Sequence, residues 1–594
     1  MYPSEASLIP VTIALTKFVE EYLGSSWFSI LSLGKAWFPY WYLGTPYRYL
    51  TGPLVPIVLS LLHEISPDST LFNLTFILIG FTYLLSIVGW LFLVKRIQNS
   101  NFKTTHLILL VLLLVFPWRM FTSLSLSEAS LSIARNLLPF VLLAIYKLLV
   151  KRELKEWVTA VFAVSLLLLT NTGIFTILLV GIIALIFARS FKNNKFSNIS
   201  YYIKRVSIAI ILSLLIVTLW YTPGYWWLQL INPSIGGVSG IKVFVRILEL
   251  LKGLVPLGLA VFAVYFSMKL KKRLSVFTLV WVFAFLFLTT FRFIGDPDFW
   301  TDWSVWLYEL EIGVAILVSL VINGFVSRKV GLESFPKTYY LIPIALLFPF
   351  YLTWRVHLAL GKPELLPGQV PEEVSSLNKA QEIVGNESRI FLSGSTVFWA
   401  GSYDTPPMQV RGGADRASIH PLWQHAAYQL REGKDPELAK RWLSALGTQY
   451  VLVHTDRSRE RYHDFKNNSK WKEVGKKVWE EEGDILYQIG DVSMAWVVDL
   501  DALSKAEEPE NGKDKEAIGM YIDAKKRPVS LLWDDSDSIG IKFDNLGEGE
   551  GVVVAITYHR GWKTDVDATV EKDVMGNVLI IPEDNQLREI NLKY

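Results

Sequence analysis

The chain contains no cysteine. That excludes disulfides, thiol catalysis and zinc–thiolate sites. Histidine is scarce, eight in 594 residues, and no two stand in the HExxH spacing of a metalloprotease. No P-loop, dinucleotide fingerprint or nucleophile triad stands out, and Gly412-Gly413 is a turn signal only. Net charge is also small, +3, and says little because the charges are sorted by location.

What the chain has is apolar length. It is 52% hydrophobic and 14% aromatic, far above a soluble domain of this size, which indicates a polytopic membrane protein. Up to Trp354, apolar runs alternate with short basic loops; after it the residues are mostly polar with globular patterning. A hydrocarbon core takes roughly 20 apolar residues per helix. Ten spans are expected, at 71–94, 105–120, 130–150, 156–170, 173–188, 204–221, 251–269, 274–291, 304–323 and 338–355.

Every second connection is rich in Lys and Arg, as at Lys151, Arg152 and Lys155 or at Lys269, Lys271, Lys272 and Arg273. Those connections face the cytoplasm. The stretch from Trp157 to Ala188 has basic flanks on both sides. It must therefore turn back on itself at Thr170-Asn171-Thr172-Gly173. Its first arm spans only about 21 Å at helical rise, short of the core thickness. Asn171 then lies either below the outer surface, facing protein or water, or in an ordinary interfacial turn.

Parity places Met1–Thr70 and the C-terminal region outside. Leu54–Leu62 is too short to span and is expected as a re-entrant or interfacial helix. Ile9–Leu23 has a helical apolar period with Lys17, Glu20 and Glu21 opposite, which suits a helix lying in the interface. An exported 70-residue tail has no evident means of export. A further transmembrane helix upstream of Met1 is therefore expected.

Residues 371–490 read as α/β, with helices at 371–385, 420–432 and 436–446 and strands at Arg389–Leu392, Tyr450–His454 and Ile485–Ile489. From Met494 short strands separated by turns indicate a small β-sandwich. Lys505–Lys515 reads as a solvated loop. The fold class is thus a membrane all-α bundle of about ten spans with an external α/β domain and a C-terminal β-sandwich. The expected divisions are 1–70, an external first loop; 71–355, the bundle; 356–490, α/β; and 491–594, the sandwich.

Charges in or near the membrane are costly and mark candidate sites. They are Arg48, Arg135, Arg292, Asp296, Asp298, Asp302, Glu309 and Glu311. Arg48 and Arg135 suit a lipid phosphate; alternatively Arg135 snorkels or pairs with Glu128. Glu309 and Glu311 open a span and read as interfacial. The aromatic stretch Trp37–Pro53, WFPYWYLGTPYRYLTGP, either stacks on a sugar or lines a lipid groove, or forms an interfacial belt. Asn386-Glu-Ser and Asn467-Asn-Ser are candidate glycan acceptors.

A long first external loop, many spans and an external C-terminal domain resemble the GT-C membrane glycosyltransferase superfamily. More closely, the chain resembles YfhO-like membrane proteins and those described as 6-pyruvoyl-tetrahydropterin synthase-related, archaeal and bacterial. Trp37–Pro53 resembles their first-loop motif. LLLTNTG at Leu167–Gly173 resembles a segment that often has His where this chain has Asn171. VRGGADRASIHPLW and LAKRWLSALGTQYVLVH resemble their α/β part, and ITYHRGWKTDVDATVEKDVMGNVLIIPED their terminal β-domain.

The resemblance implies transfer of a sugar from a polyprenyl-phosphate donor to a glycan, lipid or protein acceptor at the outer face of the cell membrane. By position it assigns the general base to Glu5, where the family usually has Asp, with Glu20 and Glu21 as fallbacks. Arg48 and Arg135 fall near the donor phosphate, with Trp37, Trp41, Tyr47 and Asn171 among the substrate-binding residues. No metal and no certain cofactor are implied beyond the donor itself, and no nucleic acid partner. The family's final transmembrane helix would begin where this chain stops. The alternative is a non-catalytic protein that binds or transports lipid-linked glycans or serves as a surface scaffold.

Overall fold

The structure is a computed structural model that describes residues 2–24, 29–30, 32–99, 109–110, 113, 124, 127–192, 195–231, 273–294, 304–327, 368–404, 406–584 and 586–594. The chain divides into two compact units. One joins Met1–Leu50 to Pro367–Tyr594; the other is Thr51–Leu366.

The second unit is helical. Among the described residues four helices are long and apolar enough to cross a membrane: Leu71–Gln98, Ala129–Val150, Thr172–Ser190 and Ile199–Val217. Helices Leu154–Thr170, Arg273–Ile294 and Ser304–Ser327 also fall on expected spans. The expected spans at 105–120 (but for residues 109, 110 and 113), 251–269 and 338–355 lie outside the described residues.

Ala129–Val150 is the central helix. It packs on Leu71–Gln98, Leu154–Thr170, Phe175–Ser190 and Ile199–Val217. Close approach depends on small residues: a Cβ at Gly89 would come within 2.9 Å of the Pro139 ring. In the central helix 72% of the apolar window is buried, against 22% in Ile199–Val217. The latter turns Ile208, Ile211 and Leu215 outward, as a lipid-facing helix does. Arg205 ties two basic connections together, donating from Nη2 to the Lys151 carbonyl at 2.8 Å and lying 5.4 Å over the Trp157 ring. The break expected at Asn171 is present. Leu154–Thr170 ends there, and Asn171 Oδ1 accepts from Gly173 N at 2.8 Å to start the next helix. Leu54–Ile65, of 12 residues, is short for a span.

The first unit is globular. A mixed five-stranded sheet runs in the order Met408–Gln409, Arg389–Phe391, Tyr450–His454, Asp484–Gln488, Lys476–Glu481. The first three strands are parallel and the last two antiparallel. Helices Ser376–Val384, Trp423–Glu432 and Pro436–Ala445 accompany it. Asp435 caps the last of these, accepting from Glu437 N and Leu438 N at 2.9 and 3.1 Å.

The remaining strands form two antiparallel sheets. One has the order Lys525–Pro528, Ala495–Asp499, Glu550–Thr557, Asn577–Pro582, Ala568–Lys572. The other runs Ser530–Asp535, Ser538–Lys542, Glu589–Lys593, Lys563–Thr564. Alternate residues of both, Val497, Val552, Val554 and Ile580 from one and Ile539, Ile541, Ile590 and Leu592 from the other, meet in one core. That is a β-sandwich. Arg389 bolts it to the mixed sheet: its Nη1 donates to the carbonyls of Leu446 and Ala555, each at 2.6 Å.

Two first-loop expectations are corrected. Ile9–Leu23 is a core helix of the globular unit, with 11 of its 15 residues buried. Its apolar side chains meet glycines rather than lipid. A Cβ at Gly401 would come within 2.7 Å of Ala14, and one at Gly413 within 2.5 Å of Val11. The aromatic stretch is likewise internal. Trp37, Trp41, Tyr42 and Tyr47 are essentially unexposed. Trp37 enters the sandwich core against Trp562 and Tyr594, at 4.9 and 4.7 Å between ring centres. Its backbone N donates to Asp537 Oδ1 at 2.6 Å. Leu43 N donates to Gln409 O and Thr557 N to Leu43 O, so the loop is stitched to both sheets.

Burial also sets a pH response. His420, 3% exposed, is pushed down to about 3, chiefly by desolvation. The unfolded chain takes up this proton below about pH 6.5 and the folded chain does not. The associated stability is therefore complete above pH 6.5 and is lost as pH falls. At pH 5, one and a half units lower, the loss is about 2 kcal/mol. Asp537, raised to about 6 first by burial, acts in the opposite sense and offsets part of it. Unfolding followed from pH 7 to pH 5 should show a fall in stability that His420→Gln flattens. An unchanged slope in the variant would remove His420 from the account.

Candidate functional site

The polar groups of the helical unit gather at the start of the Ala129–Val150 helix. Ser127, Glu128 and Ser130 stand at its N-terminus, Glu128 in the N-cap position. Ser130 Oγ donates to Glu128 Oε1. Asn171, from the turn after Leu154–Thr170, donates from Nδ2 to Ser130 Oγ at 2.7 Å and to Glu128 Oε2 at 3.3 Å. The next residue, Thr172, shares a 2.7 Å hydroxyl–hydroxyl bond with Tyr225. Glu128, Asn171 and Thr172 are half-buried, while Ser127 and Ser130 are buried. The carboxylate is thus oriented by two donors on a half-buried residue.

Deeper in the same helix lies a buried ion pair. Arg135 and Glu309 are 1% and 0% exposed, with Nε 3.9 Å from Oε1. The guanidinium sits 4.1 Å over the Tyr308 ring, and Nη1 donates to Ser127 Oγ at 3.5 Å. Glu309, expected at the interface, is instead a core residue. Trp281 Nε1 donates to its backbone carbonyl at 2.6 Å, which fixes that turn of the helix inward. Asn136 extends the polar stripe, donating to Thr82 Oγ1 at 3.1 Å.

Of the residues singled out from sequence, the structure brings Arg135 and Asn171 to this helix. Glu309 and Glu311 stand on Ser304–Ser327 and Arg292 on Arg273–Ile294, in the same unit, and Asp296, Asp298 and Asp302 lie outside the described residues. Glu5, Arg48, Trp37, Trp41 and Tyr47 lie in the globular unit. Glu5 is 8% exposed and accepts from Arg461 Nη1 at 2.7 Å. Arg48 lies near His559, whose imidazole is lowered to about 4 by burial first and by the Arg48 charge second. Trp37, Trp41 and Tyr47 have no exposed face for a ligand. Sequence reasoning missed Glu128 as the centre of a network. It considered that residue only as a partner of Arg135, because what singles it out is the contact with Ser130 and Asn171.

In α/β sheets ligands often bind beyond the ends of parallel strands. Beyond the neighbouring parallel strands Arg389–Phe391 and Tyr450–His454 the loops instead converge on Glu460. Its carboxylate accepts from Ser395 N at 2.7 Å, Tyr462 N at 2.9 Å and His463 N at 3.1 Å. A Cβ at Gly394, which has φ +72°, would come within 2.2 Å of it. An anion cradle occupied by the chain's own carboxylate leaves that position to structure.

Comparison with solved structures gives low-identity likenesses to membrane glycosyltransferases. The chain is similar to the archaeal oligosaccharyltransferase AglB from Archaeoglobus fulgidus, solved with an inhibitory peptide and a dolichol-phosphate. The TM-score is 0.42 at 11% identity, covering 80% of this chain and 70% of that one. It is also similar to the arabinofuranosyltransferase AftD from Mycobacteria, with TM-score 0.43 at 12% identity, covering 100% of this chain. The chain spans 58% of the length of AftD. No family model matches the chain, and no curated protein matches it.

Proposed function

We propose that the chain is an integral-membrane glycosyltransferase of the GT-C type, with about ten spans and its globular unit outside. It moves a sugar from a polyprenyl-phosphate donor to a glycan, lipid or protein acceptor. One observation carries this reading: a half-buried carboxylate, Glu128, held by Ser130 and Asn171 at the head of a buried apolar helix.

A lipid-borne substrate keeps its chain among apolar helices and presents its polar head at their ends. A carboxylate there is placed to take the proton of an acceptor hydroxyl. As that proton leaves, the hydroxyl oxygen bonds to the anomeric carbon. The bond from that carbon to the phosphate oxygen breaks, and polyprenyl phosphate departs. Arg135 contributes positive charge behind the cluster, shared with Glu309. The globular unit, by itself, is proposed to guide the acceptor. The base passes from Glu5 to Glu128 in this reading, because Glu5 is already paired with Arg461.

The test is transfer from a radiolabelled polyprenyl-phosphate sugar by the full chain in lipid. Glu128→Gln should lower the rate about a hundredfold, and Glu5→Gln should leave it within about twofold. The reverse pattern returns the base to Glu5. Absence of transfer with every donor, alongside retained donor binding, favours the non-catalytic glycan-binding alternative.

A further inference from the structure

We infer that Trp226 is the surface on which the donor's sugar ring stacks, an assignment that rests on the Glu128 cluster being a lipid-linked sugar site. The Ile199–Val217 helix is followed by a bend and then the nine-residue helix Pro223–Ile231. Tyr221 and Tyr225, 1% and 4% exposed, pack with ring centres 4.5 Å apart. Trp226 packs beside both, tilted at 5.8 Å between ring centres from Tyr221 and edge-to-face at 5.2 Å from Tyr225, and is only half-buried. Its ring is therefore braced by two buried tyrosines while part of it stays open.

The position of this group matters as much as its shape. The Tyr225 hydroxyl bonds Thr172 at 2.7 Å, and Thr172 adjoins Asn171, whose amide holds Glu128 and Ser130. A short bonded path thus joins the aromatic group to the carboxylate. A sugar ring has one face made of C–H groups, which suits the electron-rich face of an indole, and a rim of hydroxyls, which suits polar neighbours. A donor whose anomeric carbon lies near Glu128 needs such a face beside it. Trp37, Trp41 and Tyr47 cannot supply it, being buried in the other unit. Trp227 differs from its neighbour. It points roughly 100° further round the helix and is 63% exposed, as an anchor at the membrane–water boundary would be.

Binding distinguishes the two tryptophans without requiring turnover. The full chain in lipid nanodiscs is titrated with dolichyl phosphate and with dolichyl-phosphoryl mannose, glucose and xylose. At least one sugar-bearing lipid should bind about tenfold more tightly than the bare lipid. Trp226→Ala should erase that gain and leave bare dolichyl phosphate unaffected. Trp226→Tyr should restore most of it, and Trp227→Ala should change neither affinity. The assignment is overturned if none of the three sugars adds affinity, if the gain survives Trp226→Ala, or if the bare lipid loses affinity equally. A protein that shows the Trp226-dependent gain but transfers nothing refutes the transferase reading and keeps this one.

Discussion

Trp37→Ala should destabilise the globular unit by about 3–5 kcal/mol, the range for truncating a buried tryptophan. The indole is unexposed and sits among Trp562, Tyr594 and the alternating Val and Ile side chains of both sandwich sheets. Its removal leaves a cavity lined by strands that the ladders hold apart, so little collapse can fill it. Gly44, in the same hairpin, has φ +93°, and its Cβ would lie 2.4 Å from the Trp37 Nε1. The loop is thus shaped around the ring. Hydrogen exchange of the Val552–Ile556 and Ile590–Leu592 amides in the full chain would measure the effect. Protection within about 1 kcal/mol of wild type would mean that the first loop is not part of this core.

Arg135→Met should cost the helical unit about 3–5 kcal/mol, because it strands the Glu309 carboxylate in a fully buried position. The Tyr308 ring and Ser127 hydroxyl lose their cationic partner as well. Arg135→Met with Glu309→Leu should recover most of the loss, since two apolar side chains of similar size need no counter-charge. The measurement is detergent-titrated unfolding of wild type, both singles and the double in a mutant cycle. A double variant no more stable than Arg135→Met alone would show that the pair is not the energetic unit.

Much of the secondary structure was legible because it depends on local pattern. The sandwich strand Glu589–Lys593 alternates inward and outward residues, Ile590 and Leu592 standing between Glu589, Asn591 and Lys593, and a period of two is visible without a partner. The turn at Asn171 followed from charge, since basic residues on both flanks leave no other way to keep both ends on one side. The long described helices of the second unit fall on expected apolar runs for the same reason, whereas Pro223–Ile231 lies on none.

Burial by distant partners was not legible. Ile9–Leu23 has the moment of an interfacial helix, but what covers it is Gly401 and Gly413, nearly 400 positions away. Trp37 looks like any exposed-loop aromatic until Trp562 is placed beside it. The site divided in the same manner. Arg135 and Asn171 drew attention as polar residues in apolar runs. Glu128 and Tyr225 gained theirs only from the groups that meet them, Ser130 and Asn171 in one case and Thr172 in the other.

The first loop and its partners also set a schedule for biogenesis. Trp37 and the Asp537 side chain that receives its amide are 500 positions apart in the chain. Ribosomes add roughly 5–20 residues per second, so the indole waits roughly half a minute to two minutes for that partner to be synthesised. During that interval every helix of the intervening unit is being inserted, while a string of tryptophans and tyrosines has no strand to rest on. The docking of the aromatic segment in the sandwich is therefore a late step in the making of the chain.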